Sequence, residues 1–306
     1  SDECGLMFPI IPANSVAAAS GNDNGIFLGG GNASAFLSMS NIVSNTGVVA
    51  SDVAGVGTAR HGPGACEYGG DKGIYAYGND DVTDLNSSNL ISNLGVVSTD
   101  VTGVGTARNY LSACDYGGDK GIFAYGHTSG NVSMSNLVSN AGVVATDVTG
   151  VGTARRTLGS CEYGEDKGIF GFGNDGTPNA SMTNLVSNVG VVSTDVSGVG
   201  TARRDIMACS YGDDKGIFGF GYSSGNTAIT NLVSNAGVVA TDTSGVGTAR
   251  YGGGATQYGQ DKGIFAYGHD GGYASMSNLV SNAGVVATDV TGVGTGRSYL
   301  AACSFN

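Results

Sequence analysis

The side chains able to do chemistry are few in this chain of 306 residues. His61, His127 and His269 are its three histidines, and no spacing among them suits a shared metal site. They read as surface loop residues. Of six cysteines, Cys66, Cys114, Cys161, Cys209 and Cys303 recur at one register, with Thr256 standing in the remaining slot and Cys4 outside it. Thiols repeated at that interval read as small buried side chains, not as a disulfide framework. Each is followed by a polar residue: Glu67, Asp115 and Glu162 in three cases, Ser210, Gln257 and Ser304 in the others. An acid pair for glycoside chemistry would have to come from these carboxylates, but half the slots lack one. Asp80, Asp81 and Asp84 offer oxygen ligands that could hold Ca²⁺. Apart from that ion no cofactor is implied, and no catalytic set emerges. Every lysine follows an aspartate, so no phosphate-cradling GxxxxGK(S/T) loop exists.

The spacing of these residues exposes the organisation behind them. GVGTAR begins at Gly55, Gly103, Gly150, Gly198 and Gly245, and returns as GVGTGR at Gly292. GI(F/Y) begins at Gly25, Gly73, Gly121, Gly168, Gly216 and Gly263, and N(L/I)(V/I)SN at Asn41, Asn89, Asn136, Asn184, Asn231 and Asn278. Three independent markers thus give six repeats of 47 or 48 residues. Within one repeat, residues 108–116 read as a first strand, 122–125 as a second, 133–139 as a third and 143–148 as a fourth, separated by Gly- and Asn-rich turns. Four short antiparallel strands per repeat predict an all-β fold, a six-bladed β-propeller of four-stranded blades. Residues 21–306 form this single domain, after an N-terminal extension over 1–20. The final segment, 298–305, is a first strand without a second, and 25–28 a second without its first. The C-terminal strand is expected to complete the first blade and close the ring. Residues 15–20 are the competitor for that place, although they lack the Arg and Tyr that mark it.

Arg, a small-residue strand, Tyr-Gly, then an apolar strand ending in aromatic-Gly resembles the Kelch family of propellers. Here the Kelch double glycine is single (Gly78, Gly126, Gly173) and its tryptophan is absent. Over residues 21–305 the chain is more similar to the repeats YGxDK(A/G)IFGFG…NLVSNxGVVxTDxxGVGTAR of large structural proteins from bacteriophages and environmental viruses. That resemblance implies a virion- or tail-associated protein, in a virion or extracellular setting, whose partners are other virion proteins or a cell-surface glycan. It implies no active site.

Charge divides by register. Arg60, Arg108, Arg155, Arg203, Arg250 and Arg297 share one position, and Asp71, Asp119, Asp166, Asp214 and Asp261 another, each of the latter followed by Lys. These read as scaffold, making charge-assisted hydrogen bonds to turns or between blades. The net charge of −12 is carried almost wholly by positions the repeat leaves free, which argues against nucleic acid or membrane insertion. The variable residues also separate. Turns after the first and third strands hardly change, whereas those after the second strand and at the start of the first do. In an up-and-down blade both variable sets emerge on one face. We therefore expect Asp80, Asp81, Tyr110, His127, Asp175, Tyr222, Tyr251, His269, Asp270 and Tyr299 to form a binding face on a non-enzymatic propeller. A secreted lectin-like propeller with one sugar site per blade is the alternative; it would need loop residues repeated six times, and these differ.

Overall fold

The computed structural model describes residues 23–176 and 179–305. They form six three-stranded antiparallel sheets. The first strands are β3 (Gly64–Tyr68), β6 (Ser112–Tyr116), β9 (Gly159–Tyr163), β12 (Met207–Tyr211), β15 (Gly254–Tyr258) and β18 (Ala301–Phe305). The middle strands are β1 (Asn24–Leu28), β4 (Lys72–Ala76), β7 (Lys120–Ala124), β10 (Lys167–Asn174), β13 (Lys215–Gly219) and β16 (Lys262–His269). The outer strands are β2 (Ser40–Val43), β5 (Ser88–Ile91), β8 (Ser135–Val138), β11 (Asn179–Val186), β14 (Thr230–Val233) and β17 (Tyr273–Val280). The last strand belongs to the first sheet: β18 pairs with β1 from Asn24↔Phe305 to Leu28↔Ala301. The competing residues 15–20 lie outside the described residues.

The blades have three strands, not the four expected. The fourth segment, exemplified by 143–148, touches its neighbour only at isolated bridges, Val138↔Val144 and Ser135↔Val148. The bridged positions lie three apart on one side and four apart on the other, so the extra residue throws the ladder out of register. An asparagine side chain fills the gap: Asn136 donates from Nδ2 to the Ala145 carbonyl (3.0 Å) and to Asp147 Oδ1 (2.9 Å). Its equivalents Asn41, Asn89, Asn184, Asn231 and Asn278 do the same.

Core packing lies between sheets. Six apolar clusters each join two neighbouring sheets, one of them the sixth and the first. First strands of successive sheets run side by side, β3 with β6 through to β15 with β18, and β18 with β3. The repeated cysteine makes that approach close. A Cβ on Gly121 would meet Cys66 Sγ at 2.4 Å, and each cysteine, with Thr256 in the sixth place, covers the equivalent glycine of the next sheet. The five described thiols are free and buried, as the repeat spacing required, and burial raises their pKa.

The repeated arginines are fully buried. Arg203 is typical. Its guanidinium lies 4.4 Å over the Phe172 ring of the preceding sheet, donates from Nε to the Phe220 carbonyl and from Nη2 to Asn231 Oδ1, and approaches Asp242. Asp71, Asp119, Asp166, Asp214 and Asp261 instead pair with the lysine that follows them and accept from an outer-turn asparagine, such as Asn140 Nδ2 to Asp119 Oδ2. The first sheet breaks the pattern. Where Tyr77, Tyr125, Phe172, Phe220 and Tyr267 meet the phenylalanine of the next blade edge-on, the first sheet has Gly29. Its neighbour supplies the missing bulk: Tyr75 is the one tyrosine among those phenylalanines, and its hydroxyl lies 2.6 Å from where a Gly29 Cβ would stand.

Candidate binding site at the channel mouth

The two variable sets do emerge together. The residue after each repeated arginine pairs with a residue at or just beyond the end of the middle strand: Ser298↔Gly31, His61↔Asn79, Asn109↔His127, Arg156↔Asn174, Arg204↔Tyr222 and Tyr251↔His269. One position further along, Gly62, Tyr110, Thr157, Asp205, Gly252 and Tyr299 all have positive φ, between 51° and 66°. Their backbones are linked in a cycle. Tyr110 N–H donates to Gly62 O, Thr157 to Tyr110, Asp205 to Thr157, Gly252 to Asp205, Tyr299 to Gly252 and Gly62 to Tyr299, at 2.5–3.0 Å. Glycine suits this conformation without strain; a tyrosine, an aspartate and above all a β-branched threonine do not. Four of the six places therefore hold side chains that the backbone alone would not select.

Those side chains gather into one asymmetric cluster. Tyr299 lies 5.3 Å from Tyr110 and 6.2 Å from Tyr251, and Tyr251 meets Tyr222 at 5.7 Å and His269 at 5.3 Å. On the other flank His61 stacks on Phe36 at 4.8 Å and touches both Tyr110 and Tyr299. His61 is thus not the surface loop residue expected from sequence. Half-buried in this stack, it is held neutral, its pKa lowered to about 4 by burial. Tyr110, Thr157, Asp205, Tyr222, Tyr251 and Tyr299, together with Arg156 and Arg204, line a cleft of about 770 Å³. Asp205 is buried beneath it, with Arg204 Nε 3.2 Å from its Oδ2 and the Arg204 guanidinium 4.6 Å over the Tyr222 ring. Burial raises the Asp205 carboxyl to about 6 against the pull of Arg204 and of hydrogen bonds from Thr157 and Tyr299.

The remaining predicted residues lie apart from this cluster. Asp80 caps its own turn, accepting from the Val82 and Thr83 amides, and Asp84 accepts from Asn79 and Asn109. Asp81 sits at the same exposed tip with φ 81°. Asp80 and Asp84 thus spend oxygens on turn and loop donors, and among the described residues no three His, Cys, Asp or Glu are grouped to hold a metal ion, so Asp80, Asp81 and Asp84 do not gather as the Ca²⁺ site their spacing offered. Asp270 likewise closes its own turn onto Gly272 N–H. Asp175 neighbours the cleft's Asn174 and Gly176 without lining it. His127 bonds through its backbone to Asn109, and burial, with Arg156 nearby, lowers its pKa. Arg156, Arg204 and Asp205 also stand at the variable start of the first strand, although the binding face expected from sequence does not include them. Their signal was available: these are the two arginines outside the repeat and the acid beside one of them.

At the other end of the inner strands Glu67, Asp115 and Glu162 do converge, lining one cavity with Ser210, Gln257 and Ser304. Glu67 N–H donates to Asp115 Oδ1 at 2.6 Å, and Ser304 Oγ to Glu67 Oε2 at 3.1 Å. Burial and the neighbouring carboxylate push Glu67 up to about 8, and burial pushes Asp115 to about 6. Compared with known families and with characterised proteins, the chain matches none.

Proposed function

We propose that the chain is a closed six-bladed propeller that binds a glycan at the mouth of its channel and is not an enzyme. Closure is supported by the β18–β1 pairing and by the hydrogen-bond cycle around the mouth. The observation that carries the binding reading is the set of strained residues. A six-fold scaffold would be satisfied by glycine at every place, as at Gly62 and Gly252, yet Tyr110, Thr157, Asp205 and Tyr299 project side chains into a single cleft. Tyrosine rings beside arginine, aspartate and asparagine suit a sugar, which presents apolar C–H faces and hydroxyl edges. A site of this kind, one per molecule, differs from a lectin with a sugar on every blade. Among the described residues the cleft's one carboxylate is Asp205, tied to Arg204. The acids that do converge, Glu67, Asp115 and Glu162, stand five residues along the inner strands, about 16 Å from the mouth, in a cavity of about 50 Å³, well below the roughly 300 Å³ at which ligand pockets begin. The repeat resemblance to viral structural proteins supports an extracellular setting on a virion or its tail, with the cell-surface glycan as partner.

Glycan-array binding by the purified protein tests this. Tyr110→Gly and Tyr299→Gly remove the rings where glycine is free of strain, so each variant should keep its melting temperature and lose array binding at least tenfold. Unchanged binding by both would remove the mouth as the site, and capture of virion proteins without glycan binding would favour protein docking instead.

A further inference from the structure

Resting on that reading, we propose that the glycan is acidic, and that Arg156 receives its carboxylate or sulfate group. Twelve of the thirteen cationic side chains are already engaged within the protein. Six arginines are the buried scaffold set, each with hydrogen-bond partners. All five lysines are paired with the preceding aspartate. Arg204 is paired with Asp205. Arg156 alone makes no side-chain hydrogen bond or ion pair among the described residues, and it lines the cleft. In a chain of net charge −12 an unpaired guanidinium lowers the local repulsion that an anion meets.

The surroundings fit a positioned anion contact. Arg156 is half-buried and its backbone is fixed by the Asn174 bridge, with N···O distances of 3.0 and 2.8 Å in the two directions. The loop beside it is tied across blades, Asn131 Nδ2 donating to the Asn174 carbonyl at 3.0 Å. The planar guanidinium offers a paired donor edge that matches a carboxylate or a sulfate. Asp205 cannot cancel it, since Arg204 already engages that carboxylate. Tyrosine rings then take the uncharged faces of the sugar, and Asp205 with Arg204 its hydroxyls.

Isothermal titration with 3′-sialyllactose, 3′-sulfolactose and lactose tests the inference. At least one acidic ligand should bind ten times more tightly than lactose, with an advantage that shrinks as salt is added. The preference between the two acidic ligands separates carboxylate from sulfate. Arg156→Gln should bring the acidic ligand to within about threefold of lactose, whereas Tyr222→Ala should weaken all bound ligands alike. Equal binding of lactose and both acidic ligands, unaffected by Arg156→Gln, overturns the acidic class while leaving the glycan site standing. Failure of every saccharide, here and on the array, overturns both.

Discussion

Replacing Glu67 with glutamine should stabilise this protein at neutral pH and leave it unchanged in mild acid. Glu67 is only 8% exposed and shares a small cavity with Asp115, so its carboxylate is disfavoured by burial first and by its neighbour second. A folded-state pKa of about 8 stands above the ordinary 4.5. The folded state therefore prefers the proton, and the cost of ionisation is absent below the ordinary value and grows as pH rises through the folded one. At pH 7 linkage puts that cost at about 3 kcal/mol, falling to about 1 kcal/mol at pH 5. Glutamine is isosteric, still accepts from Ser304 and carries no charge. With about 2 °C per kcal/mol for a chain of this size, and part of the cost shared with Asp115, the melting temperature should rise by roughly 3–6 °C at pH 7. Scanning calorimetry of both proteins between pH 4 and pH 8 checks it: the two curves should converge on the acid side. A Glu67→Gln variant that parallels wild type at every pH, or melts lower at pH 7, would refute the assignment of a strained carboxylate to this position.

Other outcomes follow from the packing. Gly29→Tyr should destabilise by about 2 kcal/mol because its side chain collides with the Tyr75 hydroxyl, and Tyr75→Phe should restore it, so denaturation of the double variant should show a coupling above about 1 kcal/mol. Cys66, Cys114, Cys161, Cys209 and Cys303 should resist a water-soluble thiol reagent in the native protein and react once denaturant unfolds it, since burial raises their pKa and hides them. Arg203→Leu should cost about 3 kcal/mol by chemical denaturation, because Asn231 and the Phe220 carbonyl lose their donor inside the core. A chain ending at Arg297 should lose its cooperative melting transition, as β1 would then lack its partner and Gly73 its covering thiol.

How much was legible in the residues differs between scaffold and site. The repeat count, the turns, the place of the arginines and the burial of the cysteines followed from period and residue type, because a position occupied six times must satisfy the same neighbours six times. The pairing of the last strand with the first followed from an unmatched strand at each end. The face that carries variation also followed, since strand alternation alone sorts loops to one side or the other. The fourth strand did not: its valines have strand character, but one surplus residue between two bridges breaks the ladder, and residue preference does not reveal register. Nor did the Gly29–Tyr75 exchange, whose two members belong to different blades. The site itself needed the tertiary structure. Tyr110, Thr157, Asp205, Tyr251 and Tyr299 come from different repeats, and only the packing that brings the inner ends of the sheets together places their side chains around one cleft. The sequence by itself determined what repeats. The fold decided which exceptions to the repeat meet, because proximity across sheets is a property of the assembled sheets and of no single stretch of chain.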